Sequence, residues 1–111
     1  MNESEFHSIA DQTIEAIQDA IENSGADIDY EETGGVLTLE FDNESKIIFS
    51  KQPPARQLWM AARSGGFHFD YDSQKQRWIC DSGANEELFA MLSRLSSQQG
   101  GEDVELSAPT A

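Results

Sequence analysis

The stretch Asp27-Ile28-Asp29-Tyr30-Glu31-Glu32-Thr33-Gly34-Gly35-Val36-Leu37-Thr38-Leu39-Glu40-Phe41 decides the fold. Residues 27–31 alternate at period two. Ile28 and Tyr30 share one face, and Asp27, Asp29 and Glu31 share the other, the pattern of a strand with one wet side. Gly34-Gly35 supplies two residues that enter positive φ without a Cβ penalty, which a tight hairpin turn demands. Residues 36–41 then return as a second strand, with Leu37, Leu39 and Phe41 inward.

Downstream the same grammar repeats. Asp42-Asn43-Glu44-Ser45 turns the chain into a strand at 46–50, and Pro53-Pro54 interrupts it. Strands are expected at 57–62, 66–71 and 76–80, with Gly65-Gly66 and Asp72-Ser73 as the turns between them. Upstream the period changes to that of a helix. Phe6, Ile9, Ala10, Thr13, Ile14, Ile17, Ala20 and Ile21 recur at spacings of three and four over 3–23, and Asn2 followed by Glu5 three residues on is a start signal. A second helix is expected over 85–98, capped by Asn85 and packed through Leu88, Met91, Leu92 and Leu95. Val104 and Leu106 are expected to tuck back on the core, with 107–111 fraying.

Helix, six-stranded antiparallel meander, helix is the order of an α+β two-layer sandwich, in which both helices cover one face of the sheet and leave the other wet. At 111 residues the chain is read as a single domain over 1–106. Hydrophobic content of 38% is too high for a disordered acidic tail. One cysteine, Cys80, cannot close an internal disulfide and is expected to be a small buried hydrophobe. With no signal-peptide pattern and no long apolar run, a cytoplasmic location is expected.

Charge is distributed very unevenly. Thirteen carboxylates precede the first base, Lys46, and eight acids and seven bases make up the rest, so a net charge of −14 divides into −13 and −1. A one-sign field on patterned sequence implies a cationic partner, either a metal or a basic protein face, and argues against binding nucleic acid or membrane surfaces. Asp11, Glu15, Asp19 and Glu22 form one stripe on the polar face of the first helix. The last two sit near its negative end, an electrostatic cost with no compensation in the local sequence. Asp27, Asp29 and Glu31 do not make an EF-hand, since Glu32 and Thr38 stand where its glycine and final glutamate belong. His7 and Asp11, one helical turn apart, are a candidate pair for a shared ion. In residues 57–62 Leu58 and Met60 take one face, leaving Trp59 on the other, the face that Gln57 and Arg63 are expected to share. No nucleophile–base pair or phosphate loop is present, so no enclosed catalytic site is expected.

Lys51-Gln52-Pro53-Pro54-Ala55-Arg56-Gln57-Leu58-Trp59-Met60-Ala61, followed by Gly65-Gly66-Phe67-His68-Phe69-Asp70, closely resembles the signature of the frataxin family in its bacterial form. Ser4-Glu5-Phe6-His7, Gly34-Gly35-Val36-Leu37-Thr38 and Trp78-Ile79-Cys80-Asp81 extend the resemblance over about residues 1–106. The resemblance implies a helix–sheet–helix sandwich and weak iron binding by carboxylates of the first helix and first strand. It also implies docking on a cysteine desulfurase and on the scaffold protein of iron–sulfur cluster assembly. Carried over position by position, it places metal binding on Asp19, Glu22, Asp27, Asp29 and Glu31, with His7 and Asp11 outlying, and partner contacts on Asp19, Glu22, Gln57 and Trp59. Gln18, Ala20, Asn23 and Ser24 thin the late-helix acids relative to the family pattern, which bears on how many ions bind.

Open carboxylate stripes hold hard cations without a cage, with affinities on the order of 10⁻⁶ to 10⁻⁴ M. Iron, as Fe²⁺ or Fe³⁺, is the expected ion, with other divalent cations as substitutes. Three functions compete. One is an iron-responsive adaptor of cluster assembly; another is an iron chaperone or store with ferroxidase activity; the third is an acidic mimic that inhibits a nucleic-acid-binding protein. A monomer is expected, with oligomerisation under excess iron left open.

Overall fold

The computed structural model describes residues 1–83 and 85–108. Its elements run α1 (Glu3–Ser24), β1 (Ile28–Thr33), β2 (Val36–Phe41), β3 (Lys46–Gln52), a 3₁₀ turn (Pro53–Ala55), β4 (Gln57–Ala62), β5 (Gly65–Asp72), β6 (Arg77–Cys80) and α2 (Leu88–Gly100). The six strands pair in sequence order, all antiparallel, as an open meander. The two-layer α+β expectation therefore holds.

Each layer boundary follows from periodicity. On α1, Phe6, Ala10, Ile14, Ile17, Ala20 and Ile21 are buried, while Asp11, Glu15, Asp19 and Glu22 are exposed. Asn2 caps the helix by accepting from the Glu5 N–H at 2.8 Å, and the Glu5 carboxylate reaches back to the Asn2 N–H at 3.2 Å. On the sheet, Leu37, Leu39, Ile47, Phe49, Leu58, Met60, Phe69, Trp78 and Cys80 face the helices. Phe6, Phe49 and Phe69 are completely buried, and each such side chain contributes about 1.5–3 kcal/mol. Leu106 is buried and Val104 packs against the core, as expected; Pro109, Thr110 and Ala111, in the segment expected to fray, lie outside the described residues.

Three glycines have specific structural uses. Gly34 and Gly35, at φ 59° and 83°, make the turn of the β1–β2 hairpin, and Thr33 pairs with Val36 across it. At Gly100 a Cβ would lie 3.0 Å from Phe41 Cδ1, so the bare Cα lets the end of α2 close on β2.

Three local expectations are corrected. Asn85 does not cap α2. It is left-handed at φ 53°, and Glu87 is the cap, its carboxylate accepting from the N–H groups of Phe89 and Ala90. The chain first stays extended along β6, where Cys80 N–H donates to Glu86 O at 2.8 Å and Ile79 bridges Glu87. The β4–β5 turn is Arg63-Ser64, because Ala62 pairs with Gly65 and Ala61 with Gly66. Arg63 consequently does not continue the Trp59 face: alternation ends with β4 at Ala62, and Arg63 lies with Leu95, Gln98 and Gln99 of α2, its N–H donating to Gln99 Oε1.

Candidate functional site: an acidic ridge and an open sheet face

The acids expected to bind metal gather at one edge of the molecule without converging. Asp19 and Glu22 project from the C-terminal part of α1, whose last turn holds no base. Asp27 is exposed in the bend before β1. Within β1 the pleat divides the rest. Tyr30 turns towards α1 and its hydroxyl donates a short hydrogen bond to Glu22 Oε1. Asp29 and Glu31 point to the opposite side, where they line a shallow depression of about 340 Å³ with Thr38, Glu40 and Lys46.

The Tyr30–Glu22 contact supplies the compensation that the local sequence lacks, since a phenol donor partly offsets a carboxylate at the negative end of a helix. The hydrogen bond to Glu22 raises the Tyr30 pKa above its usual 10.0, helped by burial and by the negative charges of Glu22 and Asp19. Among the described residues no three His, Cys, Asp or Glu side chains draw together as a preformed metal cage. The donor set is one of exposed carboxylate oxygens, suited to a hard cation that keeps most of its water.

His7 and Asp11 do share a cation, but it is a side chain of the protein. Lys51 Nζ donates to Asp11 Oδ1 at 2.7 Å and lies 3.4 Å from His7 Nδ1. Its stem passes over Gly35, and only 18% of the side chain is exposed. Sequence reading missed this partner because forty residues separate it from Asp11.

The other face of the sheet carries a second constellation. Trp59, 37% exposed, stacks on His68 with ring centroids 4.4 Å apart and planes 21° from parallel. The two residues are directly opposite in the β4–β5 ladder. Gln57 Oε1 accepts from Trp59 Nε1 at 2.9 Å, and Gln57 Nε2 donates to Asp70 Oδ1 at 3.0 Å. Asp81 Oδ2 lies 3.7 Å from His68 Nδ1. Gln57 and Trp59 therefore share the open face as expected. His68, Asp70 and Asp81 join them, and the Ala62–Gly65 pairing is the signal that would have aligned His68 with Trp59.

The comparisons agree with this geometry. A family model described as a frataxin-like domain matches residues 1–102. Proteins named iron-sulfur cluster assembly protein CyaY, from Ectopseudomonas mendocina and from Pseudomonas aeruginosa, are each 51% identical over 105 residues. The match covers 95% of this chain in both cases, and 94% and 96% of those proteins. The solved structure of frataxin from Psychromonas ingrahamii superimposes with a TM-score of 0.87 at 41% identity, over 96% of this chain and 99% of that one. Yeast frataxin gives 0.67 at 25% identity, over 86% and 80%. Sequence, sheet order and helix placement agree with the family along nearly the whole chain: it belongs to the frataxin-like family.

Proposed function

We propose that this protein serves iron–sulfur cluster assembly in the cytoplasm as an iron-responsive adaptor. The carrying observation is the acidic ridge of Asp19, Glu22, Asp27, Asp29 and Glu31, exposed and with no base in the adjoining last turn of α1. The names of its relatives support the pathway. In this reading iron is cargo or signal, held by ridge carboxylates in a hydrated shell, and the same carboxylates dock on a basic patch of a cysteine desulfurase. Iron and desulfurase are then coupled through shared groups, and the coupling is reciprocal.

Trp59 supports a second contact. It is a large, half-exposed aromatic held in one orientation by His68 and Gln57, and such residues anchor interfaces. We assign this open face to the scaffold protein of cluster assembly.

The test is binding of cysteine desulfurase to the Asp19→Lys/Glu22→Lys double variant, with far-ultraviolet circular dichroism as the control for folding. Loss of binding in a folded variant is expected. Undiminished binding would overturn the adaptor reading. A ferrous titration followed by NMR should broaden ridge amides first, and desulfurase should shift an overlapping set.

A further inference from the structure

The sheet has two edges, and the fold treats them differently. At β6 the chain doubles back, with Cys80 N–H donating to Glu86 O and Ile79 bridging Glu87, so that edge is covered. At β1 the sheet ends, with β2 as its one strand neighbour among the described residues. The register shows which backbone groups are left over. The pair closing a two-residue turn exchanges both hydrogen bonds, and alternate pairs follow suit, so Thr33, Glu31 and Asp29 turn their N–H and C=O inward to β2. Tyr30 and Glu32 then turn theirs outward. Ile28 N–H is taken by Ala26 O at 3.0 Å, but Tyr30 and Glu32 have no such turn partner among the described residues.

An unpaired edge invites another strand unless something prevents it. Natural edges are commonly blocked by lysine, proline or a bulge. β1 carries none of these: its sequence is Ile-Asp-Tyr-Glu-Glu-Thr, and all six of its residues pair in unbroken register. What it carries is negative charge on both sides. Asp29 and Glu31 flank the edge on the open face, and Glu32 follows Tyr30 on the helix side, where Glu22 lies against the Tyr30 hydroxyl. A second copy of β1 would set carboxylates directly opposite carboxylates, which is destabilising. A strand bearing lysine or arginine would set opposite charges there instead, with same-face neighbours about 4.5–5.5 Å apart.

We propose that β1 is a strand-addition site for a lysine- or arginine-rich extended segment of a partner protein, which pairs with the outward N–H and C=O groups of Tyr30 and Glu32 while its basic side chains lie over Asp29 and Glu31. The acids admit a cationic strand and exclude the protein's own. The proposal rests on the reading of the acidic ridge as a docking surface for a cationic protein and specifies how the backbone takes part.

The probe is a peptide of alternating lysine and threonine, used with the full-length protein alongside a peptide of the same sequence N-methylated at alternate amides. N-methylation leaves the charge in place and removes the edge donors. With the unmodified peptide at saturation, hydrogen exchange at the Tyr30 and Glu32 amides should slow by about tenfold or more while exposed loop amides keep their rates. The methylated peptide should bind at least about tenfold more weakly. Equal affinity of the two peptides, or unchanged exchange at Tyr30 and Glu32, overturns strand addition and leaves charge-driven docking standing. Failure of the adaptor reading would appear instead as undiminished desulfurase binding by the ridge double variant.

Discussion

Lys51 Nζ lies 2.7 Å from Asp11 Oδ1 and 3.4 Å from His7 Nδ1, so a base from β3 closes the gap between sheet and helix at the N-terminal half of α1. Its position is the one a metal shared by His7 and Asp11 would take. The ammonium is therefore an internal competitor for that pair. Lys51→Met should tighten a divalent probe such as Co²⁺ at His7 by about fivefold, equivalent to roughly 1 kcal/mol, the upper range for a partly exposed pair. Paramagnetic broadening of the His7 ring signals measures it, and an unmoved midpoint would show that Lys51 does not compete.

The polar stripe of α1 works against the helix that carries it. Asp19 stands four residues after Glu15 and three before Glu22, two like-charge neighbours on one face. Asp19→Lys converts both to opposite-charge pairs and should stabilise the fold by about 1 kcal/mol at low ionic strength. Urea melts at low and high salt should show the gain shrinking as salt rises, because exposed charges are screened. A gain independent of salt would point to another cause.

Tyr30 sets an alkaline limit. Its pKa is raised in the folded state, chiefly by the hydrogen bond to Glu22. Folding therefore favours the protonated phenol. The contribution is complete below the unfolded value of about 10 and is lost as pH climbs through the higher folded value. Unfolding curves of wild type and Tyr30→Phe should run parallel below pH 10 and converge above it. Parallel curves throughout would remove the Tyr30–Glu22 contact from the stability of the protein.

At the margin of the core, Thr13 Oγ1 donates to Ile9 O at 2.9 Å and accepts from Trp78 Nε1 at 2.8 Å. Thr13→Val keeps the shape and strands the indole N–H of a residue only 3% exposed. The expected loss is about 1–3 kcal/mol by chemical denaturation. Trp78→Phe in the same background should recover part of it, because the orphaned donor is gone.

Gln99 joins three segments that are distant in sequence. Its Nε2 donates to Ser45 Oγ and Lys46 O, and its Oε1 accepts from Arg63 N–H. Gln99→Leu removes the partner of these part-buried groups and should cost about 1 kcal/mol. Hydrogen exchange should quicken at the Arg63 amide before it does in α1.

What was legible in the sequence was what is periodic. The bounds of β2 and β4 follow from alternation alone, and α1 from its 3–4 spacing and its Asn2–Glu5 box. The start of α2 was misplaced because Asn85 resembles a cap, while the pairing of 86–87 with β6 is tertiary information. The β4–β5 turn was misplaced because Gly65-Gly66 outshines Arg63-Ser64 as turn chemistry. Of the candidate site, the exposed acids and the outward Trp59 could be read by face. The contacts that give them context could not: Lys51 with Asp11, Tyr30 with Glu22, and Trp59 with His68 depend on register and on which layer a strand faces.

Trp78 and Trp59 lie on opposite faces of one sheet, the first sealed under α1 and the second stacked on His68 in the open. The protein thus carries two optical reporters on separate channels. Emission from Trp78 follows the integrity of the interior, and emission from Trp59 follows occupancy of the outer surface. Trp59→Phe and Trp78→Phe isolate one signal each, so unfolding and partner capture can be followed separately, one in each variant, without an attached dye.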